Sequence, residues 1–266
     1  MVYLHLMTKT TAVESTTKFD QLLRTSAQLP GVQINRENFL RRELKPFCTT
    51  SQIDCAVATS PAEAGVSLEV VNRIATSAVK NEATKVTLFS TATGLPGGLA
   101  LVGTVPADLA QYYGHVLRIV QKLAYIYSWP DLFDGDGPDS ATENMLTLFI
   151  GVMCGVSAAQ VGVTKTASMI AQQMVKTLPQ KALTKGIIYP VVKKVSTKLG
   201  AQMTKQIFAK GASKVVPVVG AAISGGLTFA TFLPMAKRLQ KHLSDLPLVT
   251  EQAEIIDADM MWSEES

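Results

Sequence analysis

Apolar residues along the chain recur mainly at helical spacing. Phe39, Leu40 and Leu44 share one face of RENFLRRELK. Asn35 stands where an N-cap belongs, and Pro46 ends the segment, so a helix is predicted over Arg36–Lys45. Leu68, Val71, Ile74 and Val79 repeat with the same period and predict a helix over about 67–81. The clearest helix begins after Thr104 or Val105, with Pro106 in its first turn and Asp108 beside the positive helix end. It runs to about Tyr127 and stops before Pro130. Leu109, Tyr112, Val116, Ile119, Leu123 and Ile126 form its apolar stripe, and Gln111, His115, Arg118 and Lys122 its polar one. From Ile188 to Phe208 a fourth pattern places Ile188, Val191, Val192, Val195, Leu199, Gln202/Met203 and Ile207 on one face, with Lys193, Lys194, Lys198 and Lys205 away from it.

Three uncharged runs separate or overlap these patterns: Val86–Ala107, Asn144–Thr164 and Val215–Ala236. Each has the length of a membrane span. The first is interrupted by Leu95-Pro96-Gly97-Gly98, and the third by Pro217, Pro234 and Gly225-Gly226. The second reads best as a span, with Gly151, Gly155 and Ala159 on one face as a small-residue contact strip. Buried helices of a large bundle have the same composition, and that reading is preferred. The expected architecture is all-α: a multi-helix single domain with glycine-rich hydrophobic helices over residues 31–244. A loose N-terminal arm (1–30) precedes it, and an acidic tail (245–266) follows. The N-terminal stretch lacks the basic region, apolar core and cleavage site of a secretory signal.

Composition adds one feature, the sorting of charge. A net charge of +4 over 266 residues hides three unlike stretches. Residues 1–143 carry 12 Lys/Arg and 14 Asp/Glu. No acid follows Glu143 until Asp245, and 13 bases lie in that gap. The last 22 residues hold seven acids and no Lys or Arg. Sequence-local salt bridges therefore cannot neutralise the lysines of the gap. The bases are almost all Lys and few aromatics accompany them, which argues against nucleic acid, whose binders favour Arg forks and stacking rings. An anionic membrane surface fits better, each lysine near it contributing about 1 kcal/mol. Lys181, Lys185, Lys193, Lys194, Lys198, Lys205, Lys210 and Lys214 are the candidate lipid- or anion-binding residues, with the acidic tail expected to compete for them.

Candidate chemistry is sparse. His5, His115 and His242 are isolated, no zinc-ligand spacing occurs, and His115 is expected to be solvated on its polar face. Cys48, Cys55 and Cys154 are expected to be thiols. The segment DLFDGDGPDS packs Asp131, Asp134, Asp136 and Asp139 together but fails the EF-hand pattern, and a solvated loop is expected. No phosphate loop or nucleophile elbow is present. No catalytic residue, metal ligand or cofactor is assigned. Asp108 adjoins an apolar run and is the candidate acid of an apolar pocket.

The order Gly94-Leu95-Pro96-Gly97-Gly98, then Val105-Pro106-Ala107-Asp108, then Gln121-Lys122-Leu123-Ala124-Tyr125-Ile126-Tyr127 resembles the central block of EcsC-family bacterial proteins. Val216–Gly226, with Pro217, Gly220, Gly225 and Gly226, looks like that family's C-terminal Pro/Gly segment. The likeness covers roughly residues 65–243. Where the family usually closes the central helix with Tyr-Gly, this chain has Tyr127-Ser128. The resemblance implies a helical bacterial protein, cytoplasmic or at the inner face of the cell membrane, with a transporter or other membrane protein as a further partner. It carries over no catalytic residue. The expected function is a non-enzymatic, membrane-associated accessory role. Three rivals stay open: a lipid or isoprenoid carrier or enzyme with an apolar pocket near Asp108, a soluble adaptor for an acidic protein, and an integral membrane protein.

Overall fold

The computed structural model describes residues 19–93, 101–102, 105–133, 139–173, 178–212 and 220–249, without the side chains of 89–93, 101–108, 173, 202–212 and 220–228. The fold is all-α. Helix α1 covers the described residues 19–27, and it is followed by α2 (Arg36–Leu44), α3 (Thr50–Ala58) and α4 (Leu68–Thr93). A two-residue antiparallel pairing of β1 (Leu101–Val102) with β2 (Val105–Pro106) leads into α5 (Ala107–Ile126). Then come α6 (Ser140–Met153), α7 (Ser157–Gln173), α8 (Gln180–Thr184), α9 (Tyr189–Ala212) and α10 (Gly220–Ser244).

Polar side chains start the helices where the sequence provides them. Asn35 accepts the Asn38 N–H and caps α2. Thr49 and Gln52 form a reciprocal capping box on α3. Asp139 accepts the Thr142 N–H at 2.7 Å and caps α6. The carbonyls at the end of α3 are satisfied from outside: Arg36 donates to the carbonyls of Ala56, Val57 and Thr59.

Helix α5 is the centre. It packs on α4, which lies along α10, and its other sides meet α2, α6 and α10. The α6–α7 pair packs on α9, with α8 bridging α6 and α9. Tyr125, Tyr127 and Trp129 at the end of α5 are fully buried, Trp129 edge-on to Phe149 with ring centroids 4.9 Å apart. The two hydroxyls are used, that of Tyr125 donating to Asp131 and that of Tyr127 to Asn72, whereas the Trp129 indole N–H has no hydrogen-bond partner among the described residues.

Several expectations change here. Within the segment expected to be an arm, residues 19–27 are helical, and Phe19, Leu22, Leu23 and Ala27 are buried in the core. At the other boundary, Leu246, Leu248 and Val249 are buried, so the domain runs past residue 244. The helix predicted over 67–81 continues to Thr93, absorbing the start of the first uncharged run. The second run is not one helix. It turns at Cys154–Val156 between α6 and α7. The N–H of Val156 bonds the Gly151 carbonyl and that of Gly155 bonds the Val152 carbonyl, with Gly155 at φ +76°. Gly151 and Ala159 therefore face one another across a helical hairpin. A Cβ on Gly151 would lie 2.6 Å from both Ala159 Cβ and Val195 Cγ1. Among the described residues no helix is long and apolar enough to cross a membrane.

The end of α5 has the same bonding pattern without a glycine. Trp129 N–H bonds the Ala124 carbonyl and Ser128 N–H that of Tyr125, with Ser128 at φ +67°. A left-handed non-glycine residue costs about 1–2 kcal/mol. The Ser128 hydroxyl offsets this by accepting the buried Ala62 N–H at 3.0 Å. Ser128→Gly should thus be close to neutral, gaining backbone ease and losing the bond. Ser128→Ala keeps the strain and orphans Ala62, and should cost about 1–3 kcal/mol in urea denaturation. Gly151→Ala should cost about 1–3 kcal/mol by forcing α6 away from α7 and α9.

Candidate functional site

Two groups of basic side chains behave in opposite ways. The first is buried. Glu82, on α4, is fully enclosed and meets three bases of α5. Its Oε1 lies 2.7 Å from His115 Nδ1 and 3.2 Å from Arg118 Nε, and its Oε2 accepts from Lys122 Nζ at 2.5 Å. His115 and Lys122 are buried too, and Arg118 reaches on to the Gly31 carbonyl. Next to them Gln121 accepts the Ile34 N–H and donates to the Val32 carbonyl. The expectation of a solvated His115 on a polar stripe is therefore corrected. The helical period places 115, 118 and 122 on one face, and that face meets α4 and Glu82, not water.

Burial alone would raise the pKa of Glu82. The hydrogen bond from His115 and the charges of Lys122 and Arg118 outweigh it and hold the carboxyl at about 2. Lys122 moves down as well, because burial and the neighbouring Arg118 and Lys85 charges outweigh its pairing with Glu82. A carboxylate held ionised by three donors is no proton donor near neutrality. The cluster is a clamp between α4 and α5, and a proton-transfer role finds no support in it.

Sequence reasoning missed Glu82, although a signal was there. Val71, Ala75, Ala78, Glu82 and Val86 follow helical spacing, so the carboxylate sits in register with an apolar stripe.

The second group lies outside. Lys165, Lys181, Lys185, Lys193, Lys194, Lys198, Lys237 and Lys241 are all exposed. Among the described residues none has a carboxylate oxygen within 4 Å; the ion pairs there belong to Arg24, Arg41, Arg42 and the Glu82 cluster. Asp20 of α1 does reach α9, but it accepts a hydrogen bond from Ser196. Lys193 lies over the Tyr189 ring, 5.0 Å from its centroid. Val192, Val195 and Leu199 bury the opposite face of α9. Lys181 lies within α8 and Lys185 caps its C-terminus, and α8 is in contact with α9. Five of the eight predicted lysines are thus exposed, at α8 and on the first half of α9, two helices in contact. The side chains of Lys205 and Lys210, and all of Lys214, lie outside the described residues, as does residues 250–266 of the acidic tail.

The Asp108 backbone is in the first turn of α5, but its side chain lies outside the described residues, as do Gly94–Gly98, Asp134 and Asp136. Asp131 and Asp139 have local roles, as acceptor for Tyr125 and as the α6 cap. The three cysteines are free thiols. No group of metal-ligating side chains comes together among the described residues.

Glu82→Gln should cost about 3–5 kcal/mol at neutral pH, because it leaves buried cations without their counter-charge. The stabilisation from Glu82 is complete above its ordinary pKa of 4.5 and is lost as pH falls toward about 2, since the unfolded chain takes up the proton first. Urea titrations from pH 6 to about pH 2 should show this decline in the parent protein and a flatter acid limb in the variant.

Comparison with protein-family models, curated proteins and solved structures finds no match to this chain.

Proposed function

We propose that this protein is a membrane-associated accessory protein, of the EcsC type and without chemistry of its own, that contacts anionic lipid through the basic surface of α8 and α9. The observation that carries the reading is the set of exposed lysines with no carboxylate partner among the described residues. Between Glu143 and Asp245 the chain has no acid to offer them. An ammonium group in that position lowers its energy by approaching an anionic surface, at about 1 kcal/mol per lysine. Lys181, Lys185, Lys193, Lys194 and Lys198 make the contact, with Lys205, Lys210 and Lys214 extending it. The location that follows is the inner face of the cell membrane, where a transporter or other membrane protein is within reach. The resemblance of residues 65–243 to EcsC-family proteins supports the same placement. The acidic tail acts as an electrostatic cover, competing with lipid for these lysines.

Co-sedimentation with phosphatidylglycerol and phosphatidylcholine vesicles tests this. The protein should pellet with the anionic vesicles only, and salt should release it as the Debye length shrinks. Reversing Lys193, Lys194 and Lys198 together to Glu should weaken binding at least about a hundredfold. A chain ending at Val249 should bind more tightly than the full chain; the cut must spare Leu246, Leu248 and Val249, which are buried. Equal pelleting on both lipids would remove headgroup recognition, and no pelleting on either would favour an acidic protein as the partner.

A further inference from the structure

Between the exposed lysines of α8 and those of α9 the chain carries an apolar side chain that the sequence patterns did not single out. Ile187, in the turn between α8 and α9, is 70% exposed, the most exposed large hydrophobic residue among those described. Isolated apolar residues on a surface usually signify nothing. This one differs in what holds it and in what surrounds it.

Its neighbour Ile188 is completely buried and anchors the turn in the core. On the other side Gly186 is pressed against α8, where a Cβ would stand 2.7 Å from Ala182 Cα and 2.9 Å from the Lys181 carbonyl oxygen. The backbone is bonded across the same turn, with Lys185 N–H on the Lys181 carbonyl and Tyr189 N–H on that of Gly186. Ile187 is thus held outward by a tight, anchored turn. In the chain, exposed Lys181 and Lys185 precede the turn and exposed Lys193 and Lys194 follow it, on two helices that are in contact. Tyr189, half-buried beneath Lys193, adds a ring with a polar tip, the kind of side chain that suits a lipid–water boundary. Cations at headgroup level around one projecting aliphatic side chain match the two layers of an anionic bilayer surface.

We infer that the α8–α9 turn is the docking point on the bilayer, with Ile187 inserted among the acyl chains beneath the headgroups that Lys181, Lys185, Lys193 and Lys194 contact. This rests on the proposed lipid contact and adds its orientation and depth. It makes the interaction partly independent of charge: the lysines set the preference for anionic lipid, and Ile187 sets how long the protein stays.

Two variants of the full chain, Ile187→Ser and Ile187→Trp, test it on phosphatidylglycerol vesicles. Circular dichroism melts should match the parent, since the side chain is exposed. Ile187→Ser should weaken partitioning roughly tenfold while leaving the slope of binding against salt unchanged. Ile187→Trp should still bind, and brominated acyl chains should quench fluorescence that the parent, with its own two tryptophans, does not lose. If the parent pellets but Ile187→Ser binds equally well, or Ile187→Trp gains no quenching, the insertion is wrong and the lysine contact stands. If the parent does not pellet, the lipid reading fails and this inference goes with it.

Discussion

The fold depends on one buried carboxylate. Glu82 lies in the interface between α4 and the central helix α5, where a lone ion would be untenable. It is accommodated because α5 supplies His115, Arg118 and Lys122 on the face that meets it. The same face holds the chain ahead of α2 through Arg118 on Gly31 and Gln121 on residues 32–34. Relative to hydrophobic residues of equal volume, such a cluster adds little net stability; its effect is to allow one register of α4 on α5 and penalise others. The helices that pack on α4 and α5, notably α10 and α6, inherit that register.

Charge in this protein is divided by depth as well as by sequence. In the first half several bases find acids, at the surface as in Arg41 with Glu37 and Asp54, or inside at Glu82, while Arg36 bonds backbone carbonyls. In the second half the helices are pinned by other means: small residues where α6, α7 and α9 meet, an aliphatic stripe on α9, and the Arg238 bond to the Met153 carbonyl at the end of α6. Among the described residues no lysine there forms an ion pair, so α8 and α9 carry unbalanced charge on their exposed positions. It is this surface that the proposed lipid contact uses.

Much of the fold was legible in the sequence. The helical periods over Arg36–Lys45, 109–126 and Ile188–Phe208 correspond to α2, α5 and α9, and Asn35 caps as its side chain suggests, whereas Val105 and Pro106, expected to open the central helix, pair with Leu101–Val102 instead. Local features sufficed because capping and amphipathic spacing act within a few residues. The same information misled in the run Asn144–Thr164. Apolar composition continues across it, but Gly155 at a left-handed φ breaks it into a hairpin, and a one-helix face became a contact between two helices. His115 misled for a different reason: a polar stripe on one helix does not reveal whether water or a buried acid faces it.

By itself the sequence determined the all-α class, the main helical faces and the separation of lysines from acids, because each follows from residue spacing along one segment. Only the tertiary structure decided which polar face was buried, how the hairpin closed, and that Ile187 is left exposed in the turn between α8 and α9. Those outcomes depend on which segments meet in space, and the free energy of a charged or apolar side chain is set by what packs against it.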